Sequence, residues 1–266
     1  MYALLFSSSS KTLLDAAQTK LKCQLAITSV LHTWTRDLRF HPHVHCIVSA
    51  GGLSLDSTAW VSSSGQYLLP VKLLSRLFRG KFLDGLTKLV MADEIPLELE
   101  DLRELKRELF SVEWGVYAKK PFAGPKAIFR YLGQYTHRVG ISNYRIRSIT
   151  KEAVVFSTKD GKVASLDPIE FIRRFLCHVL PRGFVKIRHY GLAASANLNG
   201  SMATARGILS SASSNDAEVS GRLAAPTRSW KELLEDLTGI DVDLCDSCRA
   251  QALTDRKGQP RTPNTS

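Results

Sequence analysis

The chain has 266 residues, a formal net charge of +11 and a pI near 9.6, so its surface is strongly basic. Apolar residues make up 44% of the sequence, which is enough to build a core. All apolar runs are far shorter than the about 20 residues of a membrane span. The N-terminus lacks a basic segment followed by an apolar core, and the five cysteines are irregularly spaced. A signal peptide, a membrane span and a disulfide framework are therefore not expected.

The first predicted elements are a helix over Ser9–Leu21 and two β-strands. One strand covers Gln24–His32, and the other carries His43 and His45. These two histidines project from the same face because side chains alternate along a strand. A hairpin turn centred near residues 36–38 would place His32 opposite His43, with Cβ atoms about 5 Å apart. His41 is expected in a loop.

Three imidazoles on one hairpin would form a candidate metal site. His43 and His45 are the first ligands expected, and His32 is the third, inferred from hairpin geometry. The cofactor would be a divalent metal, Mg²⁺ or Mn²⁺, and imidazole suits Mn²⁺ better. The alternative is that the histidines are merely hydrogen-bonded residues at a strand edge.

The rest of the catalytic region is predicted to alternate short strands with helices. The connections are short, so we expect α+β architecture with an antiparallel sheet flanked by helices. An acidic amphipathic stretch over 92–110 should face solvent. The remaining elements are a weak strand over Trp60–Leu69, a helix over Val71–Val90, a strand over Val112–Tyr117, a helix from Pro125, strands over Tyr144–Ile149 and Ala153–Ser157, and a helix over Asp167–Val179 capped by Asp167.

Two tyrosines lie four residues apart on the helix that begins near Pro125. Tyr131 and Tyr135 therefore share one helix face. Such a pair usually packs in a core and hydrogen-bonds at its edge. A catalytic role becomes more plausible because the surrounding sequence is so basic.

Two long segments contain basic residues and no acidic residue, which is typical of a phosphate-binding surface. They are Trp114–Lys151 and Phe171–Tyr190. The DNA-binding residues predicted from them are Lys119, Lys120, Lys126, Arg130, Arg138, Arg145, Arg147, Arg173, Arg174 and Arg188.

The composition changes after Leu192. Residues 1–192 are predicted to form the catalytic domain, 193–228 a Ser/Ala-rich linker with at most a weak helix, and 250–266 a disordered tail. Between these, 229–249 would hold a short helix and the pair Cys245 and Cys248. That pair is either half of a Zn²⁺ site or two free thiols.

A metal site, paired tyrosines and a phosphate-binding surface together indicate DNA-strand transfer. A tyrosine oxygen can attack a phosphodiester and form a covalent phosphotyrosine. A divalent metal held by histidines would polarise the phosphate and orient the strand.

Several segments of the sequence resemble a known protein family. The segments VLHTWTRDLRFHPHVHCIVSAGGLS, WGVYAKKPFAGP, YLGQYTHRVGISN and FIRRFLCHVLPRGFVKIRHYGL are similar to the two-tyrosine HUH (His-hydrophobic-His) transposases of the IS-ninety-one family. Related segments extend from about Leu4 to Cys248.

The resemblance implies a ferredoxin-like HUH core and rolling-circle movement through a 5′-phosphotyrosine and a free 3′-OH. It maps the metal-binding pair onto His43 and His45, and the nucleophiles onto Tyr131 and Tyr135. The implied partner is single-stranded DNA at the element ends and target, in the bacterial cytoplasm at the nucleoid, with no membrane or small-molecule substrate. The oligomeric state stays open.

Family members usually carry a cysteine-rich zinc element and an apolar strand upstream of the segment where this chain begins. The resemblance therefore implies a copy truncated at its N-terminus. Two alternative functions stay open. Truncation could leave an inactive DNA-binding remnant, and the histidine site alone would also fit a metal-dependent hydrolase that uses activated water.

Overall fold

The computed structural model describes residues 1–63, 68–122, 124–136, 140–159 and 161–213. It has α+β architecture with antiparallel sheets flanked by helices, as expected. The elements are α1 (Tyr2–Lys20), β1 (Cys23–Trp34), β2 (Phe40–Ser54), β3 (Trp60–Ser62), α2 (Val71–Met91), α3 (Leu99–Ser111), α4 (Pro125–Thr136), β4 (Ile146–Ile149), β5 (Val154–Ser157), β6 (Val163–Leu166), α5 (Pro168–Leu176), β7 (Ile187–Gly191) and α6 (Ser201–Ser213).

The main sheet has the strand order β3-β2-β1-β7, and each neighbouring pair is antiparallel. One face of β1 carries Leu25, Ile27 and Leu31, which are fully buried. Leu25 and Ile27 share a core with α1 and α2. Because side chains alternate, the opposite face of β1 carries His32. Helices α1 and α2 therefore cover one face of β1, and His32 lies on the other.

Helix α1 begins at Tyr2, several residues before the predicted start at Ser9. The intervening serines usually disfavour helix interiors because their hydroxyls compete for backbone groups. Here the hydroxyls bond to carbonyls one turn earlier, as Ser9 does to Leu5 and Phe6. Ser8 and Ser10 are 2% exposed. Their small size lets the helix pack closely.

The hairpin of β1 and β2 contains a bulge next to the histidines. His32 pairs with His43, whereas the next pair is Trp34 with Phe40. Thr33 thus faces two residues, His41 and Pro42, on the other strand. A bulge tolerates proline because one residue there needs no ladder hydrogen bond. The prediction that His41 lies in a loop was wrong, since β2 already begins at Phe40.

A second sheet, of order β4-β5-β6, packs near the hairpin turn. Leu38 from the turn is fully buried with Ile141, Val154 and Phe156, so this small core ties the turn to the second sheet. Helix α5 follows. The Asp167 side chain caps it by accepting hydrogen bonds from the backbone N–H groups of residues 169 and 170, as the sequence predicts.

Helix α6 lies within the predicted linker 193–228. Its Ala205 is buried with Leu53 and Leu192, and Ala26 of β1 packs against this cluster. The part of the linker up to Ser213 is therefore packed against the sheet. The predicted units 229–249 and 250–266 lie outside the described residues.

The segment Val112–Tyr117 forms no strand, in contrast to the prediction. Side chains of α2 bind its backbone instead of a neighbouring strand. Ser75 donates to the Trp114 carbonyl, and Arg79 donates to the Val112 carbonyl. The acidic stretch forms α3, and none of the helices in the described part of the chain has the length and apolar character needed to span a bilayer.

The turn after β7 depends on a glycine. Gly191 has a φ of +60°, and a Cβ at this position would clash with the carbonyl oxygen of Leu25.

We expect Gly191→Ala to lower the free energy of unfolding by about 2 kcal/mol or more, because of backbone strain and this clash. Gly207 in α6 has no atom within 4 Å of the equivalent Cβ position. Gly207→Ala should be neutral or stabilise by up to about 1 kcal/mol. Urea unfolding of both variants measures this, and equal effects would contradict it.

Candidate active site

The β1–β2 hairpin brings three histidines together. His32 pairs with His43, and His45 lies two residues further along the same face, opposite Val30. One ligand atom from each imidazole lies within 4.8 Å of the others. The ring centroids of His32 are 5.6 Å from His43 and 4.6 Å from His45. The predicted juxtaposition of these three side chains is thus present.

One hydrogen bond fixes the tautomer of His43. Its Nδ1 lies 2.7 Å from the His41 carbonyl oxygen, which can only accept. Nδ1 therefore carries the proton, and Nε2 carries the lone pair that a metal requires. A backbone carbonyl behind a histidine is a common way to orient a metal ligand. The bulge at His41 thus contributes directly to the site.

Burial keeps His43 and His45 uncharged. Burial, together with nearby His32, His43 and Lys119, lowers the pKa of His45 to about 3. Burial also lowers the pKa of His43, although its bond to the His41 carbonyl opposes the change. Neutral imidazoles keep their lone pairs at physiological pH, which metal binding requires. The three residues therefore fit a divalent metal that accepts nitrogen ligands.

Tyr131 of α4 reaches this cluster. Its Oη lies 3.0 Å from His45 Nδ1. Phe122 packs against the tyrosine ring with centroids 5.1 Å apart, and Lys119 Nζ lies 5.6 Å from the ring centroid. The phenol is therefore placed between an imidazole and a cation. Tyr135 lies one turn later in α4, and its side chain is outside the described part of the chain.

A family model described as "Putative transposase" (Y2_Tnp) matches residues 26–200. That span includes the histidine hairpin and α4.

The chain belongs to this transposase family.

Two curated transposases are similar to this family member. "Putative transposase y4qJ" of Sinorhizobium fredii is 38% identical over 265 residues, which cover 93% of this chain and 65% of that protein. "Transposase for insertion sequence element IS801" of Pseudomonas savastanoi pv. phaseolicola is 27% identical over 200 residues, covering 72% of this chain and 48% of that protein. The chain thus spans about two thirds and about half of these relatives. No solved structure matches it significantly.

Four predicted DNA-binding residues of this transposase are exposed and lie close to Tyr131 in sequence. They are Lys119, Lys120, Lys126 and Arg130. Arg147 is also exposed, and it donates to the Ser157 hydroxyl. Arg138 lies outside the described residues, as do Cys245 and Cys248.

Arg145 of the transposase makes backbone contacts that suggest a structural role. It donates to the carbonyls of Ser157, Gly140 and Arg36. The sequence-based prediction of a DNA contact ignored these acceptors, because charge patterns do not show where donors point. Its replacement is therefore expected to cost stability as well as charge.

The basic residues of α5 and β7 are also engaged within the protein. Arg173 and Arg174 both bond to Glu170, and their hydrogen bonds lower the pKa of that carboxyl group to about 2. Arg188 lies over the Phe6 and Phe184 rings, at 4.7 Å and 5.5 Å. Glu170 therefore compensates part of the positive charge of α5, whereas the rings under Arg188 leave its charge in place.

Two residues of the site were missed by sequence reasoning. Trp34 stacks on His32 with ring centroids 4.8 Å apart, and strand alternation from His32 could have indicated it. His178 lies against Trp34 and Phe40. No local signal marks His178, because it follows α5 and is far from the hairpin in sequence.

We expect the wild-type chain to bind Mn²⁺ with a measurable affinity that the double variant His43→Ala/His45→Ala loses. The variant removes two of the three imidazoles that converge here. Isothermal titration with Mn²⁺ measures this. His189→Ala is the matched control, because His189 is exposed on β7 and bonds only to Thr28 among the contacts described. Equal affinity of the wild type and the double variant would contradict a site at these histidines.

Proposed function

We propose that this chain cleaves and rejoins single-stranded DNA by attack of Tyr131 on a phosphodiester. The observation that carries the proposal is the contact between Tyr131 Oη and His45 Nδ1 beside the three-histidine cluster. A phenol that only packed in a core would not need to meet a candidate metal ligand. Membership of a transposase family supports the same chemistry.

The reaction balances without water as a reactant. The phenol oxygen forms a bond to phosphorus, and the bond from phosphorus to the 3′-oxygen breaks. The phenol proton leaves to solvent, and the departing 3′-oxygen takes up a proton to become a free 3′-OH. The 5′-phosphate stays on tyrosine. A 3′-OH of another strand can reverse the step, which amounts to strand transfer.

Two neighbouring side chains, His45 and Lys119, orient the Tyr131 phenol and favour its ionised form. When His45 uses Nε2 as a ligand, its Nδ1 carries the proton and donates a hydrogen bond to Tyr131 Oη. This hydrogen bond orients the oxygen and stabilises negative charge on it. The positive charge of Lys119 over the ring also favours the ionised phenol, by electrostatic attraction.

The histidine cluster would hold the divalent metal through His32, His43 and His45. The bound metal would polarise a non-bridging phosphate oxygen and orient the strand. Three neutral imidazoles suit Mn²⁺ better than Mg²⁺, which prefers oxygen ligands. Mn²⁺ should therefore support cleavage at least as well as Mg²⁺.

The proposed substrate is single-stranded DNA at element ends and target, moved by a rolling-circle route. The exposed cations around Tyr131 supply phosphate contacts. Tyr135, one helical turn away, is the proposed second nucleophile. Two attachments in one cycle would let the chain hold two DNA ends.

A metal-dependent hydrolase that uses water would leave the Tyr131 contact unexplained. A DNA-binding remnant would retain the basic surface without chemistry. Both are distinguishable from strand transfer, because neither produces a covalent adduct.

We expect wild-type protein, incubated with Mn²⁺ and labelled single-stranded DNA from the element ends, to give a covalent adduct. The adduct should survive a denaturing gel and disappear on proteolysis. Tyr131→Phe removes only the phenol oxygen. The yield of adduct from the cleavage that Tyr131 performs should therefore fall by at least about 100-fold. Tyr131→Phe/Tyr135→Phe should abolish the adduct.

Tyr117→Phe is the matched control, because Tyr117 is 84% exposed and lies on the loop before α4. It should behave like the wild type. An adduct that persists in the double variant would assign the nucleophile to another residue, with Tyr144 the next to test. No adduct from folded wild type would favour the remnant, and cleaved DNA without an adduct would favour the hydrolase.

DNA affinity should fall steeply with salt, because phosphate contacts release counterions. For a single strand each contact contributes about 0.7 to the slope of log K against log salt concentration. Lys119→Ala/Lys126→Ala should therefore flatten the slope by about 1.4. Lys88→Ala is the control, since Lys88 pairs with Asp84 on α2. An unchanged slope in the double variant would remove these lysines from the DNA surface.

A further inference from the structure

A row of aromatic rings extends from the histidine cluster toward the hairpin turn. Trp34 stacks on His32 with an interplanar angle of 15°. Phe40 is the strand partner of Trp34 and is 55% exposed. The distance from His32 to Trp34 along the strand is about 7 Å. An exposed ring therefore stands close to the proposed phosphate-binding site.

His178 lies against the Trp34 and Phe40 rings and is itself fixed by two hydrogen bonds. Its Nε2 donates to the Leu38 carbonyl at 3.0 Å, so its Nδ1 accepts from the Thr33 hydroxyl at 3.2 Å. With both nitrogens bonded, the imidazole plane is fixed. The Phe40 ring lies nearly parallel to it, at 11° with centroids 6.5 Å apart. Phe40 is thus backed by a rigid ring and presents much of its surface to solvent.

A lysine lies beside this row of aromatic rings. Lys186 Nζ lies 5.2 Å from the centroid of the Trp34 ring. A cation beside stacked aromatic rings is the combination with which proteins bind single strands, since the cation meets phosphate and the rings meet bases. Phe110 on α3 offers a comparison. It is 48% exposed and Arg79 lies over its ring, but it is far in sequence from the histidines of the hairpin.

We propose that Phe40 is a stacking site for a nucleobase of the single strand whose phosphate reaches the histidine cluster. The inference rests on the proposed function and adds a subsite to it. Every base has a π-face, so this subsite holds the strand without reading its sequence. The neighbouring Trp34, His178 and Lys186 position the ring and the adjacent phosphate.

The first test compares affinities for oligothymidylate by fluorescence anisotropy at fixed salt. Phe40→Leu keeps an apolar side chain but removes the ring, and it should weaken binding by about 10-fold. Phe40→Trp should restore wild-type affinity. Phe110→Leu is the matched control and should bind like the wild type.

Two further readouts separate stacking from a general structural effect. The slope of log K against log salt concentration should be the same for the wild type and Phe40→Leu, because no phosphate contact is lost. On an oligomer of abasic deoxyribose phosphates, the two proteins should bind equally. A difference that persists on the abasic chain would overturn base stacking at Phe40.

Equal affinity of Phe40→Leu and the wild type for oligothymidylate would also overturn the inference. That result leaves the proposed function intact if the wild type still forms its covalent adduct. Conversely, a wild type without adduct, but with a ring-dependent affinity, would overturn the proposed cleavage and retain the stacking site. Thermal unfolding of Phe40→Leu should match the wild type, since the ring is largely exposed.

Discussion

The pairing of His32 with His43 is the constraint on which the site depends. Strand side chains alternate between faces, so a slip of one residue would send His43 and His45 to the helix-covered face. The apolar residues on the other face of β2 oppose such a slip, because Cys46 and Val48 would leave the core that they share with Leu25 and Ile27 of β1. The hydrophobic core thus holds the histidines in register.

The β-bulge beside this pair helps to orient a candidate metal ligand. It accommodates Pro42 and turns the His41 carbonyl toward His43 Nδ1. The same carbonyl determines which ring nitrogen remains available for a metal. Bulges commonly re-aim side chains near functional sites, and this one does so through a single hydrogen bond.

Charge is divided between the interior of the site and its surroundings. His43 and His45 stay neutral because burial and neighbouring imidazoles lower their pKa values. The cations lie outside, at Lys119 and the exposed basic residues around Tyr131. In a chain with a net charge of +11, this division keeps nitrogen lone pairs for a metal while attracting phosphate.

The hairpin could be predicted from sequence because it is local. Strand alternation and a short turn are sufficient to place His32 opposite His43. The contacts of His178 could not be predicted, because they join residues more than 100 positions apart. The prediction that Arg145 contacts DNA rests on its charge, and charge could not reveal that its guanidinium also bonds to backbone carbonyls. The start of α1 was also missed, since serine propensity does not include burial against a sheet.

The most direct measurement of the central claim is mass spectrometry of the covalent adduct after exhaustive nuclease digestion. Trypsin should release residues 131–138, YLGQYTHR, which contain both proposed nucleophiles. Fragmentation of this peptide should locate a residual nucleotide, linked through its 5′-phosphate, on Tyr131 or Tyr135. A nucleotide found on any other peptide, or an adduct linked through a 3′-phosphate, would contradict the account.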